Sequence, residues 1–289
     1  MKNPPFNYYR PATVDEALGL LAEHGDDAKV LAGGQSLLPV MALRLGRPEH
    51  IIDIGAIESL TTIGGVDGLS IGAMVRQGVA ERSTVVATNA PLVAAALPYI
   101  GHRAIRNRGT VVGSVAHGDA AAEMPAVCLA TEATMHIAST AGVRQVPASD
   151  FFQGYFTTAL DTHELLTAVH FPPWSSTAGA SVVEVSRRHA DYAMVGLACA
   201  IDAPQGTIAT AALAFFGVSS TAVRVPQAEA ALVGRSPGPD LFAAAADIVG
   251  QVLTPDGDIH GTAAYRTHLA TVLTRKGLAE AASRIGVNA

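Results

Sequence analysis

Residues 29–41 read Lys-Val-Leu-Ala-Gly-Gly-Gln-Ser-Leu-Leu-Pro-Val-Met, a short aliphatic run, a double glycine and then an apolar segment of helical character. That order dictates a strand (Lys29, Val30, Leu31, Ala32), a tight turn and a brief helix from Leu37 to Met41. Without a Cβ, Gly33 and Gly34 allow another backbone or a ligand to come close, and successive N–H groups at a turn that opens a helix attract anions. Ala32, Gly33, Gly34, Gln35 and Ser36 therefore suit a phosphate, although a plain tight turn would use the same residues. A second segment of this kind is Thr110-Val111-Val112-Gly113-Ser114-Val115-Ala116-His117-Gly118-Asp119, with Glu123 and Pro125 following. Thr110, Ser114, His117, Asp119 and Glu123 place hydrogen-bonding side chains among glycines, as a polyhydroxylated ligand or a polar turn with a capping carboxylate requires. Neither segment contains Gly-Lys-Ser/Thr or Gly-x-Gly-x-x-Gly, so a Walker loop and a Rossmann fingerprint are both set aside.

The chain around these loops has 289 residues, of which 49% are hydrophobic and 15% charged, with a net charge of −6. This is enough for about two compact domains and argues against disorder. The arginines form no basic stripe, so nucleic acid is not an expected partner. Charges and prolines interrupt every apolar run before the ~18 residues a membrane span needs, and a cytoplasmic location is expected. Cys128 and Cys199 are too few for a disulfide framework or for the four thiolates of an ordinary iron–sulfur cluster. The ten histidines show no metal-ligand spacing, and no serine has nucleophile-elbow context, so neither a metal site nor a catalytic residue is assigned.

Thr13 and Glu16 have capping-box spacing ahead of Val14, Ala17, Leu18, Leu21 and Ala22, which predicts a first helix ending at Gly25. Strands are expected at 51–54 and 164–171, hairpins within 60–73 and 134–147, and a helix over 91–99. Pro, Ser and Gly accumulate from Pro172 to Gly179 and mark a domain boundary. Beyond it, strand-like runs at 181–187, 195–202 and 207–218 precede helices at 227–233, 241–252 and 262–285, the order of an α+β domain. Arg103, Arg106 and Arg108 form a short basic run that is either a solvated helix face or a phosphate or subunit contact.

Taken together, Ala32–Pro39, Leu43-Arg44, Pro48-Glu49 and Ile52-Asp53-Ile54 resemble the first flavin loop of the medium, FAD-binding subunit of molybdenum hydroxylases, the group of carbon monoxide dehydrogenase, nicotine dehydrogenase and xanthine dehydrogenase. Thr110–Asp119 with Ala122-Glu123-Met124-Pro125 is similar to its second flavin loop. The likeness continues through Arg187–Ala193, Tyr265–Leu269 and Val272–Arg275 and so follows nearly the whole chain. Two departures stand out: Val112 where the family usually has a glycine, and Gly118-Asp119-Ala120 where it often has Ala-Asp-Pro.

The resemblance implies an α+β protein with a two-lobed FAD-binding domain of the vanillyl-alcohol oxidase type at 1–175, its lobes at about 1–57 and 58–175, and a small C-terminal domain at 179–289. It implies that the backbone amides of Ala32, Gly33, Gly34, Gln35 and Ser36 hold the FAD pyrophosphate, that Thr110, Val111, Val112, Gly113 and Ser114 complete the cradle, and that Lys29, Val30 and Leu31 belong to the same cofactor site. It further implies that Glu123 accepts from ribityl or ribose hydroxyls, that His117 and Asp119 belong to the flavin loop, and that Ile100, Leu166 and Tyr192 lie near the flavin. FAD is expected to be noncovalent. A molybdenum–pterin cofactor and two iron–sulfur clusters would sit only in a large and a small partner subunit, in a heterotrimer or its dimer, with this chain passing electrons to an external acceptor. A self-sufficient FAD oxidase or dehydrogenase, and a non-catalytic assembly subunit whose glycine loops are only turns, stay open as alternatives.

Overall fold

The computed structural model describes residues 2–188 and 190–285. His189, inside the Arg187–Ala193 motif, and residues 286–289 of the expected C-terminal domain lie outside the described residues. Near the N-terminus, strands Asn7–Tyr9, Ala28–Leu31 and His50–Asp53 form a parallel sheet with His50–Asp53 in the middle. The helix Val14–His24 packs on it with Ala17, Leu18 and Leu21 buried. Thr13 Oγ1 accepts from the Glu16 N–H at 3.2 Å, while the Glu16 carboxylate reaches back to the Ala12 N–H at 2.7 Å. The helix stops at Gly25, whose φ is +50°. Asn7–Tyr9 was not legible as a strand, because three residues between prolines carry no alternation; partnership with His50–Ile52 alone extends them.

A five-stranded antiparallel sheet follows, in the order Ile63–Gly64, Leu69–Gly72, Leu165–Phe171, Thr134–Ser139, Gly142–Pro147. Both expected hairpins are present, and the strand of 165–171 joins them through the middle. The helix Val111–His117 lies on this sheet with Val111 and Val115 buried, and helices Pro91–Ala96 and Glu123–Ala130 bury Leu92, Val93, Met124 and Val127 in the same core.

Strands Ala178–Ser186, Ala193–Asp202, Thr210–Phe216 and Val223–Arg224 make an antiparallel sheet, the last strand being too short to read from sequence. Its two faces differ in side-chain size, as the two-residue period of a strand permits. Ala180, Ala198, Ala212 and Ala214 join the core that contains helices Pro91–Ala96 and Glu123–Ala130. Leu197, Cys199, Leu213 and Phe215 face the other way, onto helices Pro226–Leu232, Pro239–Val252 and Ala263–Ser283. This mostly alanine face, with Val182 and Phe216 also in that core, brings the sheet close to the preceding helices, so this C-terminal region is packed on the rest of the chain by a buried surface. Among the described residues no helix is long and apolar enough to cross a membrane.

Candidate functional site

The strand Ala28–Leu31 delivers the chain to Gly34, which has φ of +73° and so occupies a conformation that glycine adopts without strain. The helix Leu37–Ala42 begins directly after. Gln35 Nε2 donates to the Gly33 carbonyl at 3.1 Å. Among the described residues the backbone N–H groups of Gly33, Gly34, Gln35 and Ser36 have no protein acceptor, leaving a run of donors suited to an anion.

The second loop is built as a helix start. Thr110 Oγ1 accepts from the Gly113 N–H at 3.0 Å and caps the helix Val111–His117, which ends at Gly118 in the left-handed region at φ +62°. A Cβ at Gly118 would meet Thr158 Cγ2 at 2.9 Å, which accounts for glycine at this departure from the family pattern. The two loops touch: a Cβ on Gly33 would stand 2.6 Å from both the Arg108 carbonyl oxygen and the Gly109 Cα.

Together they border a cavity of about 640 Å³, within the size range of small-molecule and cofactor sites. Lys29, Val30, Ala32, Gly33, Gly34, Gln35 and Ser36 line it from the first loop, and Thr110, Val112, Gly113, Ser114, His117, Asp119 and Glu123 from the second. Ile100, Leu166 and Tyr192 line it too, so three residues distant in sequence from either loop are brought to the same place. Leu31 and Val111 are not in its lining. Val111 is fully buried in the core and its N–H donates to the Val75 carbonyl at 3.1 Å.

The Gly113 N–H is engaged by the Thr110 cap and the Ser114 N–H by the Thr110 carbonyl at 3.2 Å. A cradle formed by every amide from Thr110 to Ser114 does not match this arrangement. Only the Thr110 and Val112 N–H groups in that stretch lack a protein acceptor among the described residues, and the first loop carries the larger share of available donors. Gln77, Ile105 and Leu160 also line the cavity and were not foreseen, since no local pattern marks them.

Glu123, at the first turn of the helix Glu123–Ala130, is 8% exposed. Burial, with Asp119 adding like charge, pushes its carboxyl up to about 7. Burial lowers the pKa of His117 against the opposing pull of Asp119, and the ring lies 5.0 Å from that of Phe156. Tyr192 is 70% exposed and stands at the rim. In the basic run, Arg106 is structural: it pairs with Glu81 at 2.9 Å and donates to the Gly101 carbonyl at 2.7 Å, fixing the wall next to Ile100.

The donors on two glycine loops and the buried acceptor at Glu123 match a ligand with both phosphates and hydroxyls. Residues 4–174 match the family described as the FAD binding domain in molybdopterin dehydrogenase. The chain belongs to this family. Residues 180–281 match the CO dehydrogenase flavoprotein C-terminal domain.

The nicotine 6-hydroxylase medium subunit of Paenarthrobacter nicotinovorans is 39% identical over 285 residues, covering 98% of this chain and all of that one. The 6-hydroxypseudooxynicotine dehydrogenase complex subunit alpha of the same organism is 38% identical, covering 98% of this chain and 97% of that one. Among solved structures, a carbon monoxide dehydrogenase chain from Hydrogenophaga pseudoflava superposes with a TM-score of 0.95 at 37% identity, covering 99% of this chain and all of that one. The resemblance carried by the loops is thus borne out along the chain, as is the α+β fold class. FAD is the cofactor of this family's domain, and the donor set described above fits it.

Proposed function

We propose that this chain is the electron-outlet subunit of a molybdenum hydroxylase, holding FAD noncovalently between its two glycine loops. The observation that carries this reading is the meeting of four available N–H groups at Gly33–Ser36 with the capped second loop, beside a buried carboxyl at Glu123. The first loop holds the pyrophosphate, with Thr110 and Val112 amides on its other side. Glu123 accepts from ribityl or ribose hydroxyls, Ile100 and Leu166 shield the flavin from water, and Tyr192 covers its open edge. When bound, FAD exchanges electrons singly or in pairs, which suits it to join one-electron carriers to a two-electron acceptor.

In this reading the partners are a small subunit with two iron–sulfur clusters and a large subunit with the molybdenum–pterin centre, assembled as a heterotrimer or its dimer in the cytoplasm. The domain limits are 1–175, with lobes at 1–57 and 58–175, and 179–289. Relatives of matching length are named for nicotine and for carbon monoxide, which supports placing substrate choice in another chain. With only two cysteines, both fully buried, this chain offers no thiolate set for the clusters.

The test is stopped-flow reduction of the bound flavin in the isolated chain and in the complex coexpressed with its neighbouring subunits. Reduction by the complex's organic substrate is expected only after assembly. Equal rates in the isolated chain and the complex would replace this reading with that of a self-sufficient flavoenzyme.

A further inference from the structure

The second glycine loop does not hold its position alone. The segment Val75–Gln77 lies alongside it, antiparallel, with Arg76 bridged to Thr110. The Val111 N–H donates to the Val75 carbonyl at 3.1 Å and the Gln77 N–H to the Gly109 carbonyl at 2.9 Å. The Arg76 guanidinium takes the Arg108 carbonyl, and Gln77 Nε2 approaches the Thr110 carbonyl at 3.4 Å. Each of the consecutive carbonyls of Arg108, Gly109 and Thr110 thus has a donor from this segment, although the Thr110 oxygen also accepts from the Ser114 N–H and the Arg108 oxygen also lies against Gly33. A carbonyl oxygen already hydrogen-bonded within the protein repels a nearby phosphate less than a free one.

Gln77 is the unusual member of this clamp. Only 4% exposed, it lines the cavity, and its Oε1 has no donor among the described residues. A buried polar atom without a partner costs stability, and an apolar side chain of the same shape would avoid that cost. The amide also closes a stack of close approaches. A Cβ on Gly33 would stand 2.6 Å from Gly109 Cα, and a Cβ on Gly109 would stand 2.7 Å from Gln77 Oε1. Gln77, Gly109 and Gly33 thus lie in succession, and the thickness of the amide sets how near the second loop comes to the first.

Resting on the FAD reading above, we propose that Gln77 is a positioning residue for the phosphate cradle: its buried amide fixes the second glycine loop at the height where both loops reach the same pyrophosphate. The residue acts through the backbone of 108–111 and need not touch the cofactor.

The test compares wild type with Gln77→Met and Gln77→Glu as full-length chains. FAD affinity is read by flavin fluorescence titration, apo-protein stability by thermal melting, and the pyrophosphate environment by phosphorus NMR of bound FAD. Met keeps the length and removes both the donor to Thr110 and the unpaired oxygen. It is expected to leave the melting temperature unchanged or raised while weakening FAD about tenfold, the scale of one lost hydrogen bond, and to shift the phosphorus resonances. Glu replaces the donor with a carboxylate oxygen against the Thr110 carbonyl and is expected to weaken FAD further. Wild-type affinity and unshifted resonances in Gln77→Met would overturn the positioning role, as would a fall in melting temperature that accounts for the whole loss of affinity. A wild-type chain that takes up no FAD would overturn the FAD reading itself, a result separate from either of these.

Discussion

Gly33 and Gly109, 76 positions apart in the sequence, are in backbone contact: a Cβ on the first would stand 2.6 Å from the Cα of the second. The two glycine loops of the candidate site are thus parts of one surface. Gly33 is glycine because the other loop occupies the place of its side chain.

Gly33→Val is accordingly expected to wedge the loops apart and lower FAD affinity by more than about tenfold, since the obstructing atoms are backbone and cannot rotate aside. Gly113→Val acts differently, because its Cβ would meet Thr110 Oγ1 at 2.5 Å and displace the cap. Loss of an N-cap costs about 1 kcal/mol, so this variant should lose both flavin and some stability. Flavin-to-protein absorbance ratios with far-ultraviolet circular dichroism measure both. Full flavin content in the two variants would contradict the two-loop site.

The carboxyl of Glu123 gives the apo-protein a pH dependence. Its pKa rises from 4.5 to about 7 on folding, chiefly by burial, so its contribution is present below pH 4.5 and disappears as pH climbs through 7. The size is on the order of 3 kcal/mol. Glu184, pushed up to about 8 by burial and then by Glu123, extends the same trend upward. The apo-protein should therefore melt at lower temperature at pH 8 than at pH 5, and Glu123→Gln should flatten the slope. A melting temperature that rises over this interval would show that Glu123 is ionised and paired in the fold.

Glu123→Ala should weaken FAD by about 1–3 kcal/mol, the value of hydrogen bonds to a charged acceptor. Titration with FAD at pH 8, where the carboxyl is mostly ionised, measures it. Equal affinity for variant and wild type would remove the hydroxyl contact.

Much of this site was legible because its signal is local. A glycine pair at the end of a strand, a threonine three residues before Gly113 and a carboxylate beyond Asp119 are sequence patterns with direct backbone meanings. Gln77 was not legible: its place depends on the pairing of 75–77 with 109–111, and neither segment shows strand alternation. The availability of individual amides was also hidden, since Val111 and Gly113 lose theirs to Val75 and Thr110 only in the folded chain. In the fold, long periodic segments such as 239–252 and 263–283 were readable from helical periodicity, whereas Asn7–Tyr9 and Val223–Arg224 exist only through their neighbours.

Two glycines outside the site separate packing from propensity. Gly179 lies against the backbone of the last helix, where a Cβ would run into the Ala281 carbonyl, while Gly19 sits exposed in the first helix with nothing within 4 Å. Gly19→Ala should stabilise the protein by roughly 0.5–1 kcal/mol, and Gly179→Ala should destabilise it by about 1–3 kcal/mol through overpacking. Denaturant melts of the two variants provide the comparison; a stabilised Gly179→Ala would mean that the helix does not seat on the sheet at this point.

Flavin stoichiometry of the purified chain tests the central claim most directly. Titrated with FAD and then precipitated with acid, the protein should take up one FAD per chain and release it unmodified into the supernatant. A chain that remains colourless after titration, or one whose flavin stays attached to the precipitate, would contradict a noncovalent FAD held between Gly33–Ser36 and the loop capped by Thr110.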